Sequence, residues 1–508
     1  MRMAVTCLTT ALLLAGVPAG AQKAGDTLRI AINDPIEALS PYDRPNEETA
    51  PFYSEMHQTL IARDEHNDKL VGVLAKSWKR IDEKTLEFEL RDNLTFHSGN
   101  TFTAADVVHT FNWAADPKVK LPNKGPYLWV DRVEKTGTTT VRVRAKQLYA
   151  ADLTALAYRF FILDSKVHKD LENTADYGRV SGSGTGPYRM VSLDRNKGAV
   201  LERWDGFKGD AKVNRAPIKR IHGIPVPDPQ TQIAQLITGG VDVLRNVTAD
   251  TAKELAKKPE LKVTSVPSGT YLYIHIDSIA RSGFKPLTDP RVRKAFVMAI
   301  NPKEIADNFI AGADKAEIME TVCFKWTTSC TWTTKPYPYN PTLAKKLLAE
   351  AGYPDGLEIP FWVHAPYKDA AEAVAGQLRV VGIRSSVQPL TISVYFKKRD
   401  DGELTTFMGV RPTASFPEVL SAFDSYFNPR RDYWKDEAIL AAWKAARGEI
   451  DEVKRAKLVQ PALDRINTEA YVLPITSVPT VFVHAKDVRV ERNLTRAANV
   501  NVSDFFWN

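Results

Sequence analysis

Cysteine is scarce in this chain: Cys7, Cys323 and Cys330 are the three among 508 residues. That excludes a small disulfide scaffold and a four-cysteine zinc site. The nine histidines are scattered, without H-E-x-x-H or a Cys/His cluster, so no familiar metal-hydrolase spacing exists. G-x-S-x-G is absent. Ser282-Gly283-Phe284-Lys285 fits S-x-x-K and Lys135-Thr136-Gly137 fits K-T-G, but penicillin-recognising enzymes carry these in the reverse order. The Gly-rich stretch at 182–188 (GSGTGPY) lacks a P-loop lysine, and Pro187 starts a strand rather than a helix. No Lys/Arg run of nucleic-acid type occurs, and a net charge of +7 is spread among interspersed acids and bases. What remains is a surface of mixed sign with a mild attraction for anions. After the first residues no apolar run is long enough to span a bilayer.

What is present begins with an export signal. Arg2 supplies the positive start, residues 11–17 the short apolar core, and Ala19-Gly20-Ala21 an A-x-A cleavage site before Gln22. A mature soluble chain cut after Ala21 is expected in the periplasm, with Cys7 discarded. Cys323 and Cys330 then form an even pair in an exported chain, which implies a disulfide. The loop it closes (CFKWTTSC) either holds Trp326 or Trp332 at a cleft or is a local staple. With 44% hydrophobic residues over 508 positions, the chain is globular and too long for one core.

The most informative stretch is LAKSWKRIDEKTLEFELRDNLTFHSGNTFTAADVVHTFNWAADP, from Leu74 to Pro117. Its TLEFEL alternation predicts a half-buried strand with Leu86, Phe88 and Leu90 on one face. Thr103 predicts a helix N-cap, with Asp106 closing a capping box. This stretch resembles the signature of the family 5 extracellular solute-binding proteins, the peptide-, opine- and nickel-binding receptors of bacterial ABC importers. GTGPY at 184–188, GGVDVL at 239–244, the helix pair around Asn301-Pro302 and YNPTLAKKLLAEAGYPDGL at 339–357 match further family elements in order.

The resemblance implies an α/β, two-lobe periplasmic-binding-protein (Venus flytrap) fold, of the class with an extra subdomain in the first lobe. The expected division is a signal at 1–21, lobe I at 22–270 and 484–508 with a subdomain at about 56–180, and lobe II at 271–483. Residues 271–277 and the segment near 471–483 would cross between lobes. A β-α-β run at 358–389 predicts a parallel sheet in lobe II. Helices are expected at 49–61, 149–161 and 450–470.

Several residues are candidates for the ligand cleft. Tyr42 and Arg44 follow Leu39-Ser40-Pro41, where the family has L-D-P. Trp129 and Arg159 come from segments that approach the ligand in the family; the other reading makes both structural, with Arg159 snorkelling or partnered. His275 stands where Asn is usual, as a ligand contact, a pH-sensitive group or a satisfied hinge histidine. The sharpest departure is GVRPTASFPEVL at 409–420. Peptide-binding members read G-W-x-A-D-Y-x-D-P there, and the Asp meets the peptide's ammonium. Aligned on Pro417, that Asp is Thr413 and the Trp is Val410. This argues against ordinary di- and oligopeptides. Arg411, beside Thr413 and Phe416, would with Arg159 suit a carboxylate or phosphate; the other reading turns Arg411 to solvent.

The expectation is therefore a monomeric receptor for a small solute, peptide-like, opine-like or otherwise anionic. It would deliver that solute to a membrane permease and ATPase, with no cofactor, resident metal or nucleic-acid partner. A nickel or metal-chelate receptor of the same family, and an exported hydrolase on the same scaffold, are the alternatives.

Overall fold

Strand Thr27–Ile32 alternates, with Leu28, Ile30 and Ile32 buried at the centre of a seven-stranded sheet. The structure, a computed structural model, describes residues 26–42, 48–64, 69–122, 124–171, 174–180, 183–209, 215–413, 416–427, 430–491 and 501–508. The export signal expected at 1–21 and Arg44 lie outside the described residues. Strand Thr27–Ile32 runs parallel to Arg220–Pro225 and to Val243–Arg245, the end of GGVDVL. Arg29 projects from it and forks onto Asp242, with Nε to Oδ2 at 2.9 Å and Nη2 to Oδ1 at 2.8 Å. A bidentate pair of this kind fixes register as well as adding energy.

A second, five-stranded sheet has the order Val387–Leu390, Phe361–His364, Thr406–Pro412, Thr270–Ile276, Val472–Ser477. Phe361–His364, helix Lys368–Val380 and Val387–Leu390 form the expected parallel β-α-β unit. The whole sheet is mixed, because Thr270–Ile276 lies antiparallel to both its neighbours. Chain direction at the crossings imposes this. Leu261–Val266 of the first sheet leads into Thr270–Ile276 of the second, and Val472–Ser477 returns into Thr480–Ala485 of the first. Residues 267–269 and 478–479 are thus the two short links between sheets. Strand Thr480–Ala485 pairs wholly within the first sheet, so a lobe boundary after residue 483 would cut it. The links are tied together: Ser268 Oγ donates to Val478 O, Val478 N to Thr270 O at 2.8 Å, and Thr413 N to Gly269 O at 2.7 Å.

A four-stranded antiparallel sheet forms the additional unit, ordered Ala75–Asp82, Thr85–Leu90, Thr140–Ala145, Val130–Lys135. Leu86, Phe88 and Leu90 are buried, as the alternation required. Helix Ala104–Ala115 covers that face. Its capping box is complete, with Thr103 N donating to Asp106 Oδ2 at 2.8 Å. His97 makes a structural contact, Nε2 to Gly186 O at 2.9 Å. Gly184 is required here: a Cβ would stand 1.9 Å from Met56 O.

Two predicted helices are shorter than the periodicity suggests. The first is Ala50–Met56 rather than 49–61. Thr59 instead bridges Phe161, and Ile61–Arg63 pairs with Leu70–Gly72. The second is Asp152–Tyr158 rather than 149–161. In both cases strand pairing overrides a helical apolar pattern.

The helix Ala50–Met56 also anchors the C-terminus. Glu55, 3% exposed, accepts the Ser503 hydroxyl at 2.5 Å. Burial pushes its carboxyl up to about 8 from 4.5. A carboxyl raised on folding stabilises fully below its unfolded pKa, and this contribution fades as pH rises through the folded value. Thermal stability should therefore fall between pH 5 and pH 8, and Glu55→Gln should flatten that slope. An unchanged slope in a calorimetric pH series would contradict the assignment.

Candidate ligand cleft between the lobes

The two lobes touch along one seam. Ala150, which follows the four-stranded sheet, is buried in an apolar cluster of the second lobe with Tyr271, Phe423 and Leu463. Phe416, from the second lobe, packs against the core of the four-stranded unit. Arg63, at the end of Ile61–Arg63, reaches Thr328 Oγ1 at 3.4 Å and Glu452 at 3.7 Å. Arg455 crosses in the other direction to Ala150 O at 3.4 Å.

The Cys323–Cys330 disulfide closes the loop that receives Arg63. Thr328 in that loop is threaded against the divergent segment, with Thr328 N to Pro417 O at 3.0 Å and Val419 N to Thr328 O at 3.1 Å. Ser329 Oγ donates to Glu452 O at 2.9 Å. Behind it, Glu418 and Arg455 form a buried ion pair at 3.1 Å, with side-chain exposures of 0% and 2%. Burial pushes the Glu418 carboxyl up to about 7, although Arg455 opposes the shift. Such a pair is costly to break one-sidedly, because the remaining charge is left without water.

The candidate residues divide into three groups. Arg159, Phe416 and Arg411 come together. The Arg159 guanidinium lies 6.0 Å from the Phe416 ring centroid. Arg411 Nη2 donates to Ser421 Oγ at 3.1 Å, and that hydroxyl donates to Phe416 O at 3.2 Å. Arg411 also sits over the Tyr426 ring at 5.7 Å, and among the described residues its buried Nε has no hydrogen-bond partner. Trp129 stands beside this group, stacked on Tyr149 at 5.2 Å, with a buried Nε1 likewise lacking a partner among the described residues.

Thr413 is committed elsewhere. Its backbone N–H and its hydroxyl both donate to Gly269 O, at 2.7 and 2.6 Å. Thr413 thus clamps the inter-lobe link.

Tyr42 and His275 lie in cores, and Trp326, half-buried, packs against one. Tyr42 is 5% exposed, and its hydroxyl donates to Phe161 O at 2.8 Å. His275 is sandwiched by Trp434 at 4.8 Å and Phe407 at 4.7 Å. Burial holds its pKa well below the ordinary imidazole value, so it is neutral across physiological pH. Trp326 stacks on Phe324 at 4.8 Å within the second lobe's cluster. Arg63, Glu418 and Arg455 are not singled out by sequence. Only Glu418 gave a signal, as the acid after Pro417 in the divergent segment.

No group of three or more His, Cys, Asp or Glu arranged to hold a metal exists among the described residues. No helix there is long and apolar enough to cross a membrane.

Two α/β lobes joined by two short links, with a third β unit on the first lobe, define a solute-binding protein of the two-lobe periplasmic type. Residues 69–434 match the model of the bacterial extracellular solute-binding proteins, family 5 Middle, and the chain belongs to that family. It is 28% identical over 368 residues to the glutathione-binding protein GsiB of Pectobacterium atrosepticum, covering 70% of this chain and 68% of that one. In fold it matches NikA from Brucella suis, solved with Fe(III)-EDTA (TM-score 0.81, 22% identity, 95% and 100% of the two chains). It also matches DppA from Helicobacter pylori, solved with peptide STSA (TM-score 0.75, 19% identity, 95% and 98%). Members of the family are ABC-importer receptors for small molecules.

The disulfide loop supports the seam more than it builds a core. Cys323→Ser with Cys330→Ser should lower unfolding stability by about 2 kcal/mol, as expected for a short closed loop. Urea denaturation checks this; an unaltered midpoint would show that the bridge contributes nothing.

Proposed function

We propose that this chain is the periplasmic receptor of an ABC importer for a small, carboxylate-bearing, peptide-like solute. The solute lies between the lobes, and the closed form docks on the membrane permease and its ATPase. The observation that carries the reading is that Arg159 and Arg411, from opposite lobes, both neighbour Phe416, the first at its ring and the second at its carbonyl through Ser421. A solute that touches both cations stabilises the closed arrangement over the open one, because only the closed arrangement offers both. Phe416 and Trp129 supply apolar wall, and Arg411 Nε and Trp129 Nε1 supply donors. Arginine suits this role, since its planar fork matches a carboxylate. The glutathione-binding relatives support a peptide-like solute with more than one carboxylate.

The same reading assigns the protein to the periplasm, with a signal cleaved after Ala21, and treats it as a monomer. Lobe I then ends at residue 266 and resumes at residue 480, with hinge links at 267–269 and 478–479. No chemistry on the solute is proposed. A hydrolase would need an activated nucleophile at the seam, and the Thr328, Ser329 and Ser421 hydroxyls there are bonded to arginines and backbone carbonyls rather than to a base.

The test is to denature the purified protein and identify the released solute by mass spectrometry. A solute with at least one carboxylate is expected. Arg411→Ala and Arg159→Ala should each weaken its rebinding about 10- to 100-fold, the worth of one charge-assisted hydrogen bond. An apolar or purely cationic solute, rebound equally by both variants, would refute the proposal.

A further inference from the structure

Arg63 spans the seam from the end of strand Ile61–Arg63, and its side chain is 6% exposed. Two partners meet it in the second lobe. Glu452 lies 3.7 Å away with its side chain 56% exposed, so water screens that pair and it contributes little. Thr328 is buried, and its Oγ1 accepts from Arg63 Nη2 at 3.4 Å. A charge-assisted hydrogen bond in dry surroundings outweighs the screened pair. Where Thr328 stands therefore decides how firmly Arg63 is held.

Thr328 is placed from both sides of its loop. On one side it bridges the divergent segment, its N–H donating to Pro417 O at 3.0 Å and its carbonyl accepting from Val419 N at 3.1 Å. On the other, Ser329 turns the chain with φ 61°, in the left-handed region that an L-residue enters at a cost. Neighbours hold that turn. Cys330 N donates to Thr327 O at 3.0 Å, Ser329 Oγ donates to Glu452 O at 2.9 Å, and Cys330 is tied to Cys323. Cys323 is itself fixed, buried in the second lobe's cluster with Val322 and Phe324. The disulfide is thus the covalent restraint on a turn that would otherwise relax.

The two sulfurs differ in access, since Cys330 is partly exposed and Cys323 is buried. A dithiol attacking Cys330 Sγ breaks the S–S bond and forms a mixed disulfide there. The electron pair leaves on Cys323 Sγ, which takes up a proton. The reductant's second thiol then displaces Cys330 Sγ and closes its own disulfide, so two electrons pass to the protein. Freed from Cys323, Cys330 lets Ser329 return to negative φ, and Thr328 turns with it.

We propose that Arg63 and the Cys323–Cys330 loop form a latch between the lobes, set by the disulfide and released when a dithiol reduces it. The latch rests on the hinged receptor reading above, but on no property of the solute.

Small-angle X-ray scattering of solute-stripped, full-length mature protein, with and without dithiothreitol, tests this. The parent is compared with Arg63→Ala and with the double variant Cys323→Ser and Cys330→Ser. Thiol titration reports complete reduction, and circular dichroism reports the fold. Reduction should enlarge the parent's radius of gyration. Arg63→Ala should show the enlarged value when oxidised and no further change on reduction, and the double variant should show it with or without the reductant. A fully reduced parent of unchanged radius overturns the latch. So does an Arg63→Ala variant that still expands on reduction, because the effect then bypasses Arg63. Loss of the circular dichroism of the reduced parent also counts against it, since the bridge would then hold the fold rather than the seam. Should only the double variant fail to fold, the parent and Arg63→Ala decide the matter. Compaction by solute in a protein indifferent to reduction would remove the latch and leave the receptor reading standing.

Discussion

Everything in this molecule hangs on two short peptide links. Residues 267–269 and 478–479 join the sheets, and hydrogen bonds from Ser268, Val478 and Thr413 bind them side by side. A pair of adjacent links lets two rigid bodies rotate about one axis while resisting other displacements. Most of the buried apolar residues of each lobe pack within that lobe. The seam joins a little apolar burial, at Ala150 and Phe416, to polar contacts.

The seam's chemistry follows from that freedom. Arg63, Arg159, Arg411 and Arg455 all lie near it, and their partners are hydroxyls, carbonyls, an aromatic ring and acids. Under the proposed function these cations attract carboxylates, and excluding water strengthens the attraction. Glu418 is the exception. It is held inside by Arg455 and serves the shape of the divergent loop rather than the solute.

Much of the scaffold was legible because local signals agreed with tertiary need. Thr103 with Asp106, the alternation at 85–90, the Gly pair beside Met56 and the β-α-β run all mean the same thing in isolation as in the fold. The short helices at 50–56 and 152–158 were misjudged in length because strand pairing by Thr59, Ile61 and Phe161 comes from distant segments. The cleft was only partly legible. Arg159, Arg411 and Phe416, on which the proposed function rests, carry their sequence signal in the divergent loop and in an isolated charge within an apolar run. Tyr42 and His275 looked equally suitable, but their neighbours Phe161, Trp434 and Phe407 enclose them.

The central claim is that solute draws two hinged bodies together. Small-angle X-ray scattering of the solute-stripped protein, before and after adding back the released solute, measures this directly. The account predicts a smaller radius of gyration once solute returns, reversed by stripping it again. Identical scattering curves, with binding confirmed in the same samples, would contradict it.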